Sequence, residues 1–194
     1  MRIDAAQTLH RLSSLAHRDR LLRAHHLGED AVPPAHDPGA QTRALTDAAA
    51  VLDRAGVPYA LIGGIAVAIH SGVPRATLDV DLAVDSRTEL ATLAESFRAS
   101  GFTVGGRFAH TLNLRHETGE PVQLALDPGF DDFIARAETF SVETVAVRLV
   151  RLPDLIAMKE RAAADPKRRR SKALRDRADI EILRGDVPDP EEGW

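Results

Sequence analysis

The chain has 194 residues, of which 44% are hydrophobic and 28% charged, and its formal net charge at pH 7 is −4. This length fits one compact domain, and the composition excludes a disordered chain, a collagen-like repeat and a coiled coil. The absence of cysteine excludes a disulfide scaffold and a Cys-ligated zinc site. No apolar run reaches the roughly 20 residues of a membrane span, and no secretory signal is recognisable, so we expect a soluble, cytoplasmic protein without membrane contact.

The ends of the chain differ in pattern from its middle. Leucines recur at near-helical spacing through residues 4–27, which predicts a helix. Residues 28–41 are rich in Pro, Gly and acidic side chains and have no periodicity, which predicts a flexible linker. We therefore expect an N-terminal helical appendage at 1–27, one domain at 42–184 and a disordered tail at 185–194.

The middle of the chain alternates helical and extended patterns. Helices are predicted at 41–55, 65–72, 89–100, 130–137, 152–164 and 171–183. Strands are predicted at 59–62, 77–85, 102–108, 110–116, 121–127 and 144–150. This mixture indicates an α/β (α+β) protein whose C-terminal half is helical.

A glycine pair lies between the predicted strand 59–62 and the helix that follows it. Gly63 and Gly64 allow the backbone to approach a phosphate closely, and a helix N-terminus offers free N–H groups and a positive dipole end. Arg75 is placed to contact a phosphate oxygen with its forked guanidinium. These residues together predict an anion-binding site, although a glycine pair after a strand, taken alone, is most often only a tight turn.

Two acidic residues follow on the strand predicted at 77–85. Asp79 and Asp81 are two positions apart, so their side chains point to the same face with Cα atoms roughly 7 Å apart. Two carboxylates in this arrangement can converge on the Mg²⁺ ions of a phosphoryl-transfer or nucleotidyl-transfer site. The solvated face of an amphipathic strand is the structural alternative.

Taken together, the segment GGIAVAIHSGVPRATLDVDLAVD resembles the signature of the nucleotidyltransferase superfamily, which has a polymerase-beta-like fold. The Arg-x-Thr ahead of the two acids resembles the toxin-type branch of that superfamily, which includes the AbiEii toxins. The resemblance covers roughly residues 42–184. It implies a mixed β-sheet flanked by helices.

The C-terminal half carries a second part of the resemblance. The segments LPDLIAMKERAA and KALRDRADIEIL are similar to family patterns that place Lys159, Asp176 and Asp179 at family positions. From the residues alone, Lys159 lies within an apolar helical stripe, and Asp176 interrupts another. A charge on a core-facing stripe needs a partner or a function, so a Lys159–Asp176 salt bridge is the structural alternative to a catalytic role.

One family element is missing. Members of the superfamily supply a third acid on a later strand, and Gln123 stands at that position here. Asp127 is on the same predicted strand but four residues on, roughly 13 Å away along an extended chain. Three alternatives follow: Asp176 acts as the base, the reaction needs no strong base, or catalysis has been lost.

The basic residues are concentrated in one segment. Residues 159–177 contain nine Lys or Arg and three acids, a net charge of +6, which leaves −10 for the rest of the chain. All three lysines of the chain lie in this segment. It is either a solvated helix connector or a contact surface for phosphate or an RNA backbone.

The resemblance implies transfer of a nucleoside monophosphate from an NTP to a hydroxyl acceptor, with Mg²⁺, or alternatively Mn²⁺, as the cofactor and with release of pyrophosphate. In this scheme Asp79 and Asp81 bind the metal, Lys159 neutralises developing charge, and Asp176 orients or deprotonates the acceptor. The triphosphate would be bound by Gly63, Gly64, Arg75 and Thr77.

The toxin-type resemblance also implies an RNA acceptor, with tRNA as the expected species, and an antitoxin protein as partner. One rival is an enzyme of the same family that modifies a small molecule or a protein hydroxyl. Another is a module of the same fold that binds a nucleotide or a partner without catalysis, which the neutral Gln123 favours.

Overall fold

The computed structural model describes residues 7–12, 14, 15, 17, 18, 37–73, 77 and 79–186. Residues 7–12 are helical, and Leu9 and Leu12 are fully buried in the main core cluster. Most of the predicted linker and of the predicted tail lies outside the described residues, as does Arg75.

The elements follow the predicted alternation closely. The helices are α1 (Ala40–Arg54), α2 (Gly63–Ser71), α3 (Leu90–Arg98), α4 (Asp131–Ala135), α5 (Leu152–Ala164) and α6 (Arg170–Leu183). The strands are β1 (Tyr59–Ile62), β2 (Val80–Val84), β3 (Thr103–Phe108), β4 (Thr111–Arg115), β5 (Pro121–Ala125), β6 (Glu138–Val142) and β7 (Val145–Leu149). None of the helices in the described part of the chain has the length and apolarity to cross a membrane.

Within the described residues, seven strands form one mixed sheet in the order β3-β4-β5-β2-β1-β7-β6. The pairs β2–β5 and β1–β7 are parallel, and the other neighbours are antiparallel. A parallel pair needs a long connection between its strands, and helices and hairpins fill those connections here. The predicted α/β fold with a mixed sheet flanked by helices is confirmed.

The sheet has one strongly apolar face over β2, β5 and β4. The residues on this face are all buried and recur every second position, as the two-residue period of a strand requires. They are Val80, Leu82, Leu112, Leu114, Val122 and Leu124. The intervening residues Asp81, Asn113 and Gln123 are not buried, so the polar positions of three strands share the opposite face.

Strand β6 does not follow from the sequence pattern. Phe140 and Val142 face the core and alternate with polar residues, but this is a signal of only two apolar positions. Glu138, Thr139 and Ser141 are exposed, since β6 is an edge strand. The turn that joins it to β7 contains Glu143 at a φ of 52°, a conformation that favours Gly or Asn. The strand signal is therefore short, and the turn lacks the residues that usually mark it.

Helix α3 is held to the sheet by Phe97. Its ring is fully buried and meets Phe102 edge to face, with the ring centroids 5.0 Å apart. We expect Phe97→Ala to lower the free energy of unfolding by about 3–5 kcal/mol, because the neighbours can fill the space of a buried aromatic ring only in part. Chemical denaturation followed by circular dichroism measures this change. The neighbouring Ser96→Ala, at a half-buried helix position, serves as control and should stay within about 0.5 kcal/mol.

Candidate active site

The turn from β1 into α2 brings the backbone against a carboxylate. Gly63 is the first residue of α2 and has a φ of +69°, in the left-handed region. A Cβ atom at this position would lie 2.1 Å from Oδ2 of Asp81 and 2.7 Å from its Cβ. No residue other than glycine fits here, since the carboxylate occupies the space of a side chain.

Strand β2 and the residue just before it carry two carboxylates close to this turn in the chain. Val80 is fully buried between Asp79, which is exposed, and Asp81, which is half-buried. Asp81 pairs with Ile62 across the antiparallel β1–β2 ladder, and this register places it level with the start of α2. The structure therefore brings together Asp81 and the glycine turn, and Asp79 lies two residues earlier, immediately before β2 begins.

The two carboxylates suit Mg²⁺ by their chemistry. Mg²⁺ prefers oxygen ligands and is commonly bound by one or two carboxylates, with water and substrate phosphates completing its shell. Among the described residues no group of three or more His, Asp or Glu side chains is arranged to hold a metal ion. A pair of carboxylates next to a backbone cradle is what a substrate-completed magnesium site requires, so the residues present fit this ion.

Asp85, the residue that follows β2, is not part of this site. The Arg87 guanidinium donates hydrogen bonds to both carboxylate oxygens of Asp85, at 2.9 and 2.5 Å. These bonds hold the pKa of Asp85 below its usual value. The Asp85 carboxylate therefore has its hydrogen-bond partner at the C-terminal end of β2, away from the Gly63 turn.

The position of the missing third acid lies directly beside Asp81. Gln123 pairs with Asp81 across the parallel β2–β5 ladder, and its Nε2 donates a hydrogen bond of 3.1 Å to Oδ1 of Asn113 on β4. Asp127 cannot replace it, because β5 ends at Ala125. The Asp127 side chain instead accepts a hydrogen bond from the Gly129 N–H at 2.8 Å and caps a short 3₁₀ turn. The strand predicted at 121–127 was thus two residues too long.

The segment that leads into β2 is tied to helix α1. Gln41 is fully buried, and its Nε2 donates a hydrogen bond of 2.8 Å to the carbonyl oxygen of Thr77. The Gln41 Oε1 atom has no hydrogen-bond partner within the described residues. Sequence reasoning missed Gln41, although a polar residue four positions before the buried Leu45 lies on the core-facing stripe of α1.

A second polar cluster joins α5 to α6. Lys159 Nζ donates hydrogen bonds to Asp179 Oδ2 at 2.6 Å and to Asp176 Oδ1 at 3.1 Å. Arg168 Nε donates to the other oxygen of Asp176 at 2.5 Å. Lys159, Asp176 and Asp179 are 9%, 4% and 1% exposed, so the structural salt bridge weighed from the sequence is present and is larger than a single pair. We call these four residues the buried ion network.

The two clusters share helix α2. This helix begins at the glycine turn, and it packs against both α5 and α6, which carry the buried ion network. At its other end, His70 bonds the carbonyl oxygen of Val150 through Nε2 at 2.7 Å, just ahead of α5. Helix α2 therefore connects the carboxylates of β2 to the C-terminal helices.

Comparison with known families agrees with this arrangement. The model of the nucleotidyl transferase AbiEii toxin family, of type IV toxin–antitoxin systems, matches residues 43–192. The chain belongs to the AbiEii nucleotidyltransferase family. The matched region of this AbiEii family chain includes the glycine turn, Asp79, Asp81 and the buried ion network. The predicted nucleotidyltransferase activity class is confirmed. None of the curated proteins compared with the chain matches it.

Solved structures of nucleotidyltransferases share the fold of this AbiEii family member. The antibiotic-resistance factor ANT(2'')-Ia in solution has a TM-score of 0.50 and 18% identity, with 75% of this chain and 90% of that chain covered. Its crystal complex with adenylyl-2"-tobramycin has a TM-score of 0.51 and 17% identity at the same coverage. An antigenic nucleotidyltransferase-like protein from Paracoccidioides brasiliensis has a TM-score of 0.53 and 24% identity, with 79% of each chain covered.

The Gly63 contact can be tested against a matched glycine. Gly56 has a similar φ of +64°, but a Cβ atom there would meet nothing within 4 Å. We expect Gly56→Ala to cost only the strain of the left-handed backbone, about 1–2 kcal/mol. Gly63→Ala should also displace the Asp81 carboxylate and weaken binding of Mn²⁺ with a non-hydrolysable ATP analogue by at least about tenfold. Titration calorimetry measures the affinity. Equal affinities of the two variants, with both folded, would refute the close-approach role of Gly63.

Proposed function

We propose that this chain catalyses Mg²⁺-dependent transfer of a nucleoside monophosphate from an NTP to a hydroxyl of an RNA acceptor, with pyrophosphate as the second product. The observation that carries this proposal is the placement of Asp81, with Asp79 two residues away, against the backbone of the Gly63 turn. The proposed catalytic unit is the predicted domain of residues 42–184. An NTP donor and an RNA acceptor imply action in the cytoplasm.

Each group at the first cluster has a proposed task. Asp79 and Asp81 would hold Mg²⁺, which when bound neutralises phosphate charge during the transfer. The N–H groups of Gly63 and Gly64 would bind triphosphate oxygens at the positive end of α2. Thr77, and Arg75 by its position in the sequence, would contact the same phosphates. The hydrogen bond from Gln41 to Thr77 supports this role, because it fixes the backbone two residues before Asp79.

Lys159 is proposed to neutralise charge on the triphosphate. Its ammonium has three N–H donors, and within the described residues two of them are bonded, one each to Asp176 and Asp179. The third donor would serve a phosphate oxygen. Transfer of a phosphoryl group depends mainly on positioning and charge neutralisation, which suits a lysine that two carboxylates hold in place.

Asp176 is proposed to orient the acceptor through its helix. One of its oxygens accepts from Lys159 and the other from Arg168. A proton taken up by Asp176 would weaken one of these ion pairs, so the arrangement favours orientation over proton abstraction. Of the three alternatives left by the neutral Gln123, a reaction without a strong carboxylate base is therefore the one we propose.

The acceptor is proposed to be RNA because of the charge on α6 and the turn before it. Six basic residues there are exposed and form no salt bridge with another described residue. They are Lys167, Arg169, Arg170, Lys172, Arg175 and Arg177. A polyanion would release counterions on binding to such a surface. The description of the family as a toxin of type IV systems supports an antitoxin protein as partner.

The metal-binding role predicts a loss of activity without a loss of fold. Asp79→Asn and Asp81→Asn should each lower transfer of label from α-labelled NTP to total cellular RNA by at least about 100-fold, because an amide cannot replace a carboxylate on Mg²⁺. Asp127→Asn removes an exposed carboxylate outside the site and should leave the rate unchanged.

The same assay separates the possible acceptors. Aminoglycoside and total cell protein are offered in parallel with RNA, since one similar structure holds adenylyl-2"-tobramycin. Labelling of RNA by the native chain is the expected outcome. Labelling of another acceptor alone, or full activity of both Asn variants, would contradict the proposal.

The role of Lys159 can be distinguished from a purely structural one by breaking the same ion pair from each side. Lys159→Met should reduce label transfer by at least about 100-fold, because it removes the donor to the phosphate. Asp179→Asn keeps the lysine and should retain most of the activity. The melting temperatures of both variants, measured by thermal unfolding, show how far each substitution destabilises the fold. If activity and melting temperature fall to the same extent in the two variants, Lys159 only joins α5 to α6.

A further inference from the structure

The sheet face that carries Asp81 continues as an open surface beyond the two carboxylates. Asp81 pairs with Gln123, Gln123 with Asn113, and Asn113 with Gly106, so these four residues form one row across β2, β5, β4 and β3. Residues directly opposite each other in neighbouring strands share a face. Three strand spacings of about 4.8 Å give the row a length of roughly 14 Å.

An exposed aromatic ring stands at the far end of this row. Phe108 is 60% exposed and is one of two large hydrophobic side chains exposed in the described part of the chain. A Cβ atom at Gly106 would lie 3.1 Å from its Cε2 and 3.4 Å from its Cζ, so the ring lies against the Gly106 backbone. The ring therefore leans toward the Asp81 row, and the missing side chain at Gly106 makes room for it.

The open surface beyond Asp81 carries no acidic side chain. We define the open face as the strand residues of β3, β4 and β5 that share this side of the sheet, and none of them is buried. They are Thr103, Gly106, Phe108, Thr111, Asn113, Arg115, Pro121, Gln123 and Ala125. A negatively charged chain could lie on this surface without repulsion, and Arg115 would attract it.

We propose that the open face binds a single-stranded segment of the RNA acceptor, with Phe108 stacking on one of its bases. This inference rests on the proposed function. A row of roughly 14 Å corresponds to about four stacked nucleotides at about 3.4 Å each. Aromatic side chains on a sheet surface are a common platform for unpaired bases.

The same inference explains why position 123 carries a neutral Gln and not an acid. A carboxylate at this position would repel the phosphates of an RNA strand that passes from Phe108 to Asp81. The amide of Gln123 is neutral, is exposed and is linked to Asn113 by the 3.1 Å hydrogen bond. Both amides retain donors and acceptors for base or sugar groups. The residue that departs from the family pattern thus lies where an extended acceptor would cross.

Binding of a labelled RNA tests the proposal without catalysis. The probe is a fluorescein-labelled, single-stranded 12-nucleotide oligoadenylate RNA, and the readout is fluorescence anisotropy of the full chain. Phe108→Ala and Phe108→Leu should each weaken binding about tenfold, whereas Phe108→Tyr, which keeps a stacking ring, should stay within about twofold. Because the ring is exposed, all three variants should melt within a few degrees of the native chain.

Two arginines provide a charge-matched control for the face. Arg115 lies on the open face, whereas Arg107 is equally charged and exposed but pairs with the buried Leu112, on the other face. Arg115→Gln should weaken RNA binding and reduce the salt dependence of log Kd by about one unit. Arg107→Gln should change neither. Equal effects of the two substitutions would refute the assignment of the face.

Failure of this inference is distinct from failure of the proposed function. If the native chain labels RNA with NTP but Phe108→Ala and Phe108→Leu bind the probe as tightly as the native chain, the acceptor path is wrong and the activity stands. If the native chain does not bind the probe, the open face is not an RNA site. If only protein or only an aminoglycoside is labelled, RNA is not the acceptor, and the assignment of the open face as an RNA site is refuted as well.

Discussion

At the start of α2 the backbone and the Asp81 carboxylate lie so close together that no side chain fits between them. This contact depends on the register of β1 and β2, which sets Ile62 opposite Asp81 at the centre of the sheet. The burial of Val80 and Leu82 fixes which face of β2 carries the acids, because a shift by one residue would turn both carboxylates into the core. The position of the carboxylates, of Gln123 and of the open face all follow from this register.

The C-terminal helices are joined by charge as much as by apolar contact. Burying Lys159 and two carboxylates is expensive in free energy, and their mutual ion pairs offset that cost only if the geometry is good. The observed distances of 2.6 and 3.1 Å from Nζ meet that condition. Arg168 adds a second cation, which leaves the network with two positive and two negative groups.

Much of the fold could be predicted because its signals are local. The alternation in β2, the helical stripes of α1 and α5 and the glycine–aspartate string are each contained in fewer than 25 consecutive residues. The neighbour of Asp81 could not be identified from the strand pattern alone, because the parallel pairing with Gln123 joins residues far apart in the chain. The family resemblance pointed to Gln123 as the position of the third acid, and the β2–β5 register then showed that Gln123 lies opposite Asp81.

Other features were missed because their cause is tertiary. Gln41 lies on an apolar stripe, but only the folded chain shows that its amide reaches the Thr77 carbonyl. Arg168 belongs to a run of basic residues that looks uniform in sequence, yet it alone in that run is paired with Asp176. Edge strand β6 has only two apolar residues, Phe140 and Val142, because one of its sides has no neighbouring strand in the sheet.

Helix α6 has a further property that follows from what it buries. Its buried side chains are Asp176, Asp179, Ile180 and Leu183, so only two of the four are apolar. A helix attached in this way gains little from the hydrophobic effect, and its docking free energy is a small part of the global stability. The backbone amides of α6 should therefore exchange with deuterium by local opening, well before those of β1 and β2. Helix α6, which exposes four basic side chains, is then also a separate cooperative unit, and a polyanion that bridges it to the body would slow that exchange.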